Sequence, residues 1–203
     1  MNKLTGIFYL LLITNLVVGQ SVWTPVVLKS ANTAENTNYL TAAEKEVIYY
    51  INLVRSNPPL FEKTYLKKYL DSTKTNNSFT KSLMKTLKES KSMPVLDPNK
   101  ELFESAIIHA IKFGCSGKIG HDNFANRMQS IKLKFSDTVG ENCDYGNSKA
   151  MDIVMSLLID EGDTSYGHRK NILDVHYKFI GASIQPHKKY EWNCVMDFGG
   201  VQK

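Results

Sequence analysis

Apolar residues along the chain change period twice, and those changes outline its elements. After residue 40, Val47, Ile51 and Val54 recur at helical spacing with Tyr50 beside them. Thr41 with Glu44 three residues on forms a capping box that opens this helix. Pro58 and Pro59 stop it at Ser56-Asn57, because proline disfavours helical geometry in the residue before it. Two short helices are predicted over 60–70 and 80–90, with Tyr65, Leu66, Tyr69 and Leu70 on the first and Leu83, Met84 and Leu87 on the second. Asp97-Pro98 reads as N-cap and first helical residue of the next helix. Its apolar stripe is Leu102, Ala106, His109 and Phe113, and Gly114 is its expected stop. Another helix is predicted from about Ser148 to Asp160 on the spacing of Met151, Val154, Leu157 and Leu158.

Near the C-terminus the period becomes two. Ile180, Ala182 and Ile184 alternate, as do Trp192, Cys194, Met196 and Phe198, with a turn expected at Gln185 to Lys188. That is a β-hairpin pattern. Several helices followed by late strands predict an α+β domain. Residues 20–40, rich in Ser, Thr, Asn and Ala, read as a linker or loose N-terminal arm before a domain over 41–203.

The first 19 residues have a different character. Lys3 precedes an apolar run from Ile7 to Val18, and Gly19 is a small residue suited to cleavage. This matches a secretory signal peptide, and the run is short for a membrane span. The mature chain is expected to be secreted, periplasmic or extracellular, with no transmembrane anchor. Of 203 residues 42% are hydrophobic, and the formal charge is +5. The lysines read as a scattered, solvated surface, which argues against a nucleic-acid partner. Export permits disulfides, and three cysteines allow one bridge. Cys143–Cys194 is the favoured pair because each sits on or beside a strand; Cys115 is then the spare thiol, with no neighbouring histidine to make it a nucleophile.

Four polar positions beside glycines are the candidate chemistry: His121, Glu141, Glu161 and His168. Glycine lets the backbone reverse and present its neighbour's side chain. Neutral imidazoles bind zinc or copper with carboxylates orienting them, and a His–Glu pair can also move a proton. Within the helical stripe His109 reads as a satisfied core histidine, Asp197 as a buried carboxylate on a strand, and His176 and His187 as surface residues. No HExxH, phosphate loop, nucleophile elbow or CxxC pair occurs.

At these residues the chain resembles the CAP superfamily (the cysteine-rich secretory, antigen 5 and pathogenesis-related group), in its microbial form. Gly140-Glu141-Asn142 is similar to that family's Gly-Glu-Asn signature, and Gly167-His168-Arg169-Lys170-Asn171 to its Gly-His-x-x-Asn element. Asn52 to Arg55, the segment from Pro94 to Ala110, and the strands around Ile180-Gly181-Ala182 and Val195 to Gly199 match in the expected order. The resemblance implies an α-β-α sandwich with a central antiparallel sheet. It implies one cleft lined by His121, Glu141, a second acid and His168. Glu161 is assigned as that acid, with Asp160 its rival. Divalent-metal binding by His121 and His168, with Zn²⁺ the expected ion, and binding of a small lipid, peptide or protein ligand are the implied activities. Metal-dependent hydrolysis using Glu141 or Glu161 as base, and a non-catalytic interaction module, are the alternatives. The reading favours binding, because no committed nucleophile is visible.

Overall fold

The computed structural model describes residues 22–135 and 138–202. The expected signal segment over 1–19 lies outside the described residues.

Three layers form around a four-stranded sheet. On one face lie α2 (Ala42–Ser56) and α8 (Ala150–Ile159), and on the other α6 (Lys100–Ser116). The strands are β1 (Asp97–Pro98), β2 (Val139–Tyr145), β3 (Phe179–His187) and β4 (Glu191–Gly199), in spatial order β1-β3-β4-β2. The β3–β4 hairpin and the β2–β4 pair are antiparallel, and the two-residue β1 runs parallel to β3. The sheet is therefore mixed, where an antiparallel one is expected. The α-β-α sandwich and the α+β class hold.

Strand alternation splits the core in two. Cys194, Met196, Phe198, Ile180 and Ala182 join the large cluster with Val47, Ile51, Val54, Ile153 and Leu158. Cys143 and Val195 pack instead with Ala106 and Ala110 of α6. Gly181 is what lets α6 lie so close: a Cβ there would stand 2.0 Å from the Phe103 backbone nitrogen.

Several elements differ from the sequence reading for definable reasons. The Thr41–Glu44 capping box forms as expected. Residues 25–31, expected to be loose, form α1 (Pro25–Ala31), capped by Thr24. Trp23, Ala31, Ala34 and Leu40 are buried, so a few well-placed apolar groups dock this polar stretch. Asp97-Pro98 is a strand rather than a helix start, because Asp97 N–H and Asn99 N–H bond to carbonyls of Lys178 and Ile180. Asn99 takes the N-cap of α6, and the helix runs past Gly114 to end at Gly117, whose φ is +72°. The hairpin turn falls at 188–190, later than expected. His187, expected at the surface, is buried; Lys118 O lies 2.8 Å from its Nε2, and its Nδ1 accepts from the turn amides of Lys189 and Tyr190.

No Cys143–Cys194 disulfide forms, and all three thiols are free. The register pairs Cys143 with Val195 and Asp144 with Cys194. The two cysteines thus sit one position out of step on adjacent strands and point to opposite faces.

Candidate functional site

The site is built around β2, the strand at one end of the sheet order. Its period of two places Glu141 and Cys143 on the α6 face, and Asn142 and Asp144 on the other. A loop after α6 brings His121 to the first side, and α9 (Gly167–Ile172) brings His168 to the second.

His121 is delivered by a pinned glycine. Gly120 has φ +101°; its N–H donates to the Tyr145 hydroxyl at 2.8 Å, and its carbonyl lies 3.0 Å from His109 Nε2. His121 Nδ1 then meets Glu141 Oε1 at 2.8 Å. Arg127, on α7 (Phe124–Lys132), grips the same carboxylate from its other side: Nη2 donates to Oε1 at 2.9 Å and Nη1 lies 2.7 Å from Oε2. Burial alone would raise the Glu141 pKa. The hydrogen bonds from His121 and Arg127, with the Arg127 charge, overcome it and hold the group at about 2. Directly opposite across the β2–β4 ladder, Asp197 is fully buried as expected. Burial first, and the Glu141 charge second, push its pKa well up, which favours its protonated form.

His168 is held by an acid at a helix end. Asp160 closes α8 in the left-handed conformation with φ +58°. Its Oδ1 lies 2.7 Å from His168 Nδ1, and its Oδ2 accepts the Arg169 amide at 3.2 Å. That bond to Asp160 raises the His168 pKa against the effect of burial. Arg169 caps the same helix end, donating to the carbonyls of Leu158 and Ile159 at 2.6 and 2.9 Å.

The two halves are stitched by asparagines. Asn142 Nδ2 donates to the His168 carbonyl at 3.0 Å, and Asn171 Nδ2 donates to Asn142 Oδ1 at 2.8 Å and to the Glu141 carbonyl at 3.2 Å. This bracket gives the Gly-Glu-Asn and Gly-His-x-x-Asn segments a shared structural reason. The ring centroids of His121 and His168 end 6.1 Å apart, with both rings partly exposed.

The profile of the cysteine-rich secretory protein family (CAP) matches residues 48–198. The chain belongs to this family. The CAP chain resembles venom allergen-like protein 4 of Schistosoma mansoni, with a TM-score of 0.50, 12% identity, and coverage of 81% of this chain and 92% of that one. An outer surface protein of Borrelia burgdorferi matches at TM-score 0.45 and 17% identity, covering 76% and 93%. A cysteine-rich secretory protein of Staphylococcus aureus matches at TM-score 0.42 and 16% identity, covering 60% and 37%. No curated protein sequence matches the chain. Among the described residues no helix is long and apolar enough to cross a membrane.

Three of the four expected residues, His121, Glu141 and His168, converge in the CAP chain. The acid on His168 is Asp160. Glu161 lines the cavity beside His168 and accepts from Asn77 Nδ2 at 3.0 Å, at the N-cap of α5 (Ser78–Glu89). Arg127 and the proximity of His109 to Glu141, 3.9 Å from Nε2 to Oε1, carry no signal in the one-dimensional pattern. Beside His168 a cavity of about 460 Å³ is lined by Tyr69, Asp144, Tyr145, Leu157 and Asp160 among others. Asp144 is buried there with its pKa pushed up to about 6, chiefly by burial.

Proposed function

We propose that this is an exported CAP-family binding protein whose cleft takes a divalent metal ion, Zn²⁺ being the best fit, through Nε2 of His121 and of His168. One observation carries the reading. Each imidazole is tied at Nδ1 to a buried carboxylate, Glu141 for His121 and Asp160 for His168. A proton held at Nδ1 leaves the Nε2 lone pair as the available donor. Carboxylate–histidine pairs of this kind orient zinc ligands and raise their basicity. The bound ion would supply Lewis acidity to a group of the ligand. The adjoining cavity of about 460 Å³, with Tyr69, Tyr145 and Leu157 in its wall, accommodates the body of a small lipid or peptide ligand.

Hydrolysis is the weaker reading. A general base needs a free carboxylate oxygen within reach of water. Both oxygens of Glu141 are engaged by Arg127 and His121, and Glu161, which lines the same cavity as His168, gives its Oε1 to Asn77. Zinc titration by calorimetry tests the binding reading. The native protein is expected to take one ion per chain, and the His121→Ala/His168→Ala protein to lose that binding. Unchanged zinc affinity in the double variant would remove the proposal.

A further inference from the structure

The lysines are scattered along the sequence, but folding gathers some of them at one end of the molecule. α6 ends against the β3–β4 hairpin, which turns at 188–190. Three contacts fasten the two. Lys188 N–H donates to the Gly114 carbonyl at 2.9 Å, and the Lys118 carbonyl lies 2.8 Å from His187 Nε2. A Cβ on Gly117 would stand 3.8 and 3.9 Å from the Cβ atoms of Lys188 and Lys189. Lys118, Lys188 and Lys189 therefore share one tip, all three exposed, with Lys112 exposed further back along α6. The lysine salt bridges of the described residues lie elsewhere, at Lys67, Lys88, Lys100 and Lys134. Segments 114–121 and 186–193 together carry three lysines against one acid, Glu191.

Apolar groups are exposed among these charges. Ile119, just past the end of α6, is 56% exposed, and Trp192 is 38% exposed. Trp192 shares the strand parity of Cys194 and Met196, so it leaves the hairpin on the face away from α6. The lysines of the turn lie between the two, with Lys189 Nζ 5.1 Å from the centre of the Tyr190 ring.

We propose that this tip is a docking surface for an anionic lipid bilayer. Lysines close to anionic headgroups are drawn in by the negative surface potential. Trp and Tyr suit the headgroup level, where one end of the ring system is apolar and the other wet. Ile119 gains by leaving water. A soluble polyanion would use the lysines alone and give Ile119 and Trp192 nothing to contact. A second copy of the chain fits poorly, because two basic tips repel. The loop bearing Ile119 continues through Gly120 into His121, so a docked tip holds that side of the cleft near the headgroups. The proposal needs no metal in the cleft.

The test is co-sedimentation of the mature protein with vesicles of equimolar phosphatidylglycerol and phosphatidylcholine, and with vesicles of phosphatidylcholine alone. Binding is expected to the anionic vesicles only, and to weaken as salt is raised. Each lysine near such a surface contributes about fivefold, so the Lys118→Glu/Lys188→Glu/Lys189→Glu protein should bind about a hundredfold more weakly. The Lys81→Glu/Lys85→Glu/Lys91→Glu protein makes the same change in net charge at exposed positions elsewhere, and should lose far less. Lipids brominated along the acyl chain should quench the native fluorescence. Trp192→Phe should remove that quenching, because Trp23, the other tryptophan, is buried. Equal binding to neutral and anionic vesicles, an equal loss in the two triple variants, or binding without quenching of Trp192, as a site for soluble polyanions would give, would overturn the proposal.

Discussion

Replacing Glu141 with glutamine keeps the shape of the side chain and removes only its charge. In the native protein that charge holds His121 at 2.8 Å and both ends of the Arg127 guanidinium at 2.7 and 2.9 Å. Two routes give the cost. Breaking a buried ion pair from one side leaves the other charge stranded, typically about 3–5 kcal/mol. Independently, the Glu141 pKa falls from 4.5 to about 2 on folding, and 2.5 units at about 1.36 kcal/mol each is about 3 kcal/mol. For a chain of this length 3 kcal/mol is roughly 6–12 °C in melting temperature. The sign with pH follows from the depressed value. The stabilisation is complete above the unfolded pKa and is lost as pH falls through about 2. The gap between native and Glu141→Gln proteins should therefore be widest at pH 7 and shrink to roughly 1 kcal/mol at pH 3. Thermal melts followed by circular dichroism at both pH values measure it. Asp197 could ionise to replace the lost partner of Arg127, so the Glu141→Gln/Asp197→Asn protein should melt lower still. A midpoint within 2 °C of native at pH 7, or a gap indifferent to pH, would refute the electrostatic account of this face.

Other perturbations separate the parts of the site. Asp160→Asn should weaken zinc binding by about 10–100-fold, and Glu161→Gln should leave it unchanged; calorimetry on the pair decides which acid serves His168. Asp144 has a folded pKa raised from 3.8 to about 6, so its burial costs stability increasingly as pH rises from 3.8 towards 6, and fully above that. Asp144→Asn should stabilise the protein by up to about 3 kcal/mol at pH 8 and give no gain below pH 4, read from urea midpoints at the two values. Gly181→Ala must push α6 off β3, since the new Cβ would meet backbone at 2.0 Å; a loss of about 3 kcal/mol or failure to fold is expected in the same urea assay.

Local patterns announced much of the fold. The capping box at Thr41, the stripe of α8 and the β3–β4 alternation each depend on neighbours within a few residues, and each appears where expected. Most of the failures are long-range. Trp23 and Ala31 look unremarkable until the core they dock against exists. Asp97-Pro98 satisfies helix-start rules, but β3 offers its backbone better partners. The expected cysteine pair needed the β2–β4 register: Cys194 shares the parity of Met196 and Phe198, and Cys143 that of Glu141, but only the pairing reveals that these parities face opposite ways. Within the site His121, Glu141 and His168 were legible as glycine-flanked polar residues. Choosing Asp160 over Glu161 required the left-handed cap at residue 160, which turns one acid inward and sends the next towards α5. Arg127 was invisible because its role depends on a strand residue 14 positions away.

The claim beneath the rest is that two imidazoles, each anchored at Nδ1 by its own carboxylate, share one ion at Nε2. Anomalous diffraction at the zinc edge from a zinc-soaked crystal measures this directly. A single peak about 2.0–2.1 Å from Nε2 of both His121 and His168 is predicted. A peak bound to one ring only, or no peak between them, would contradict it.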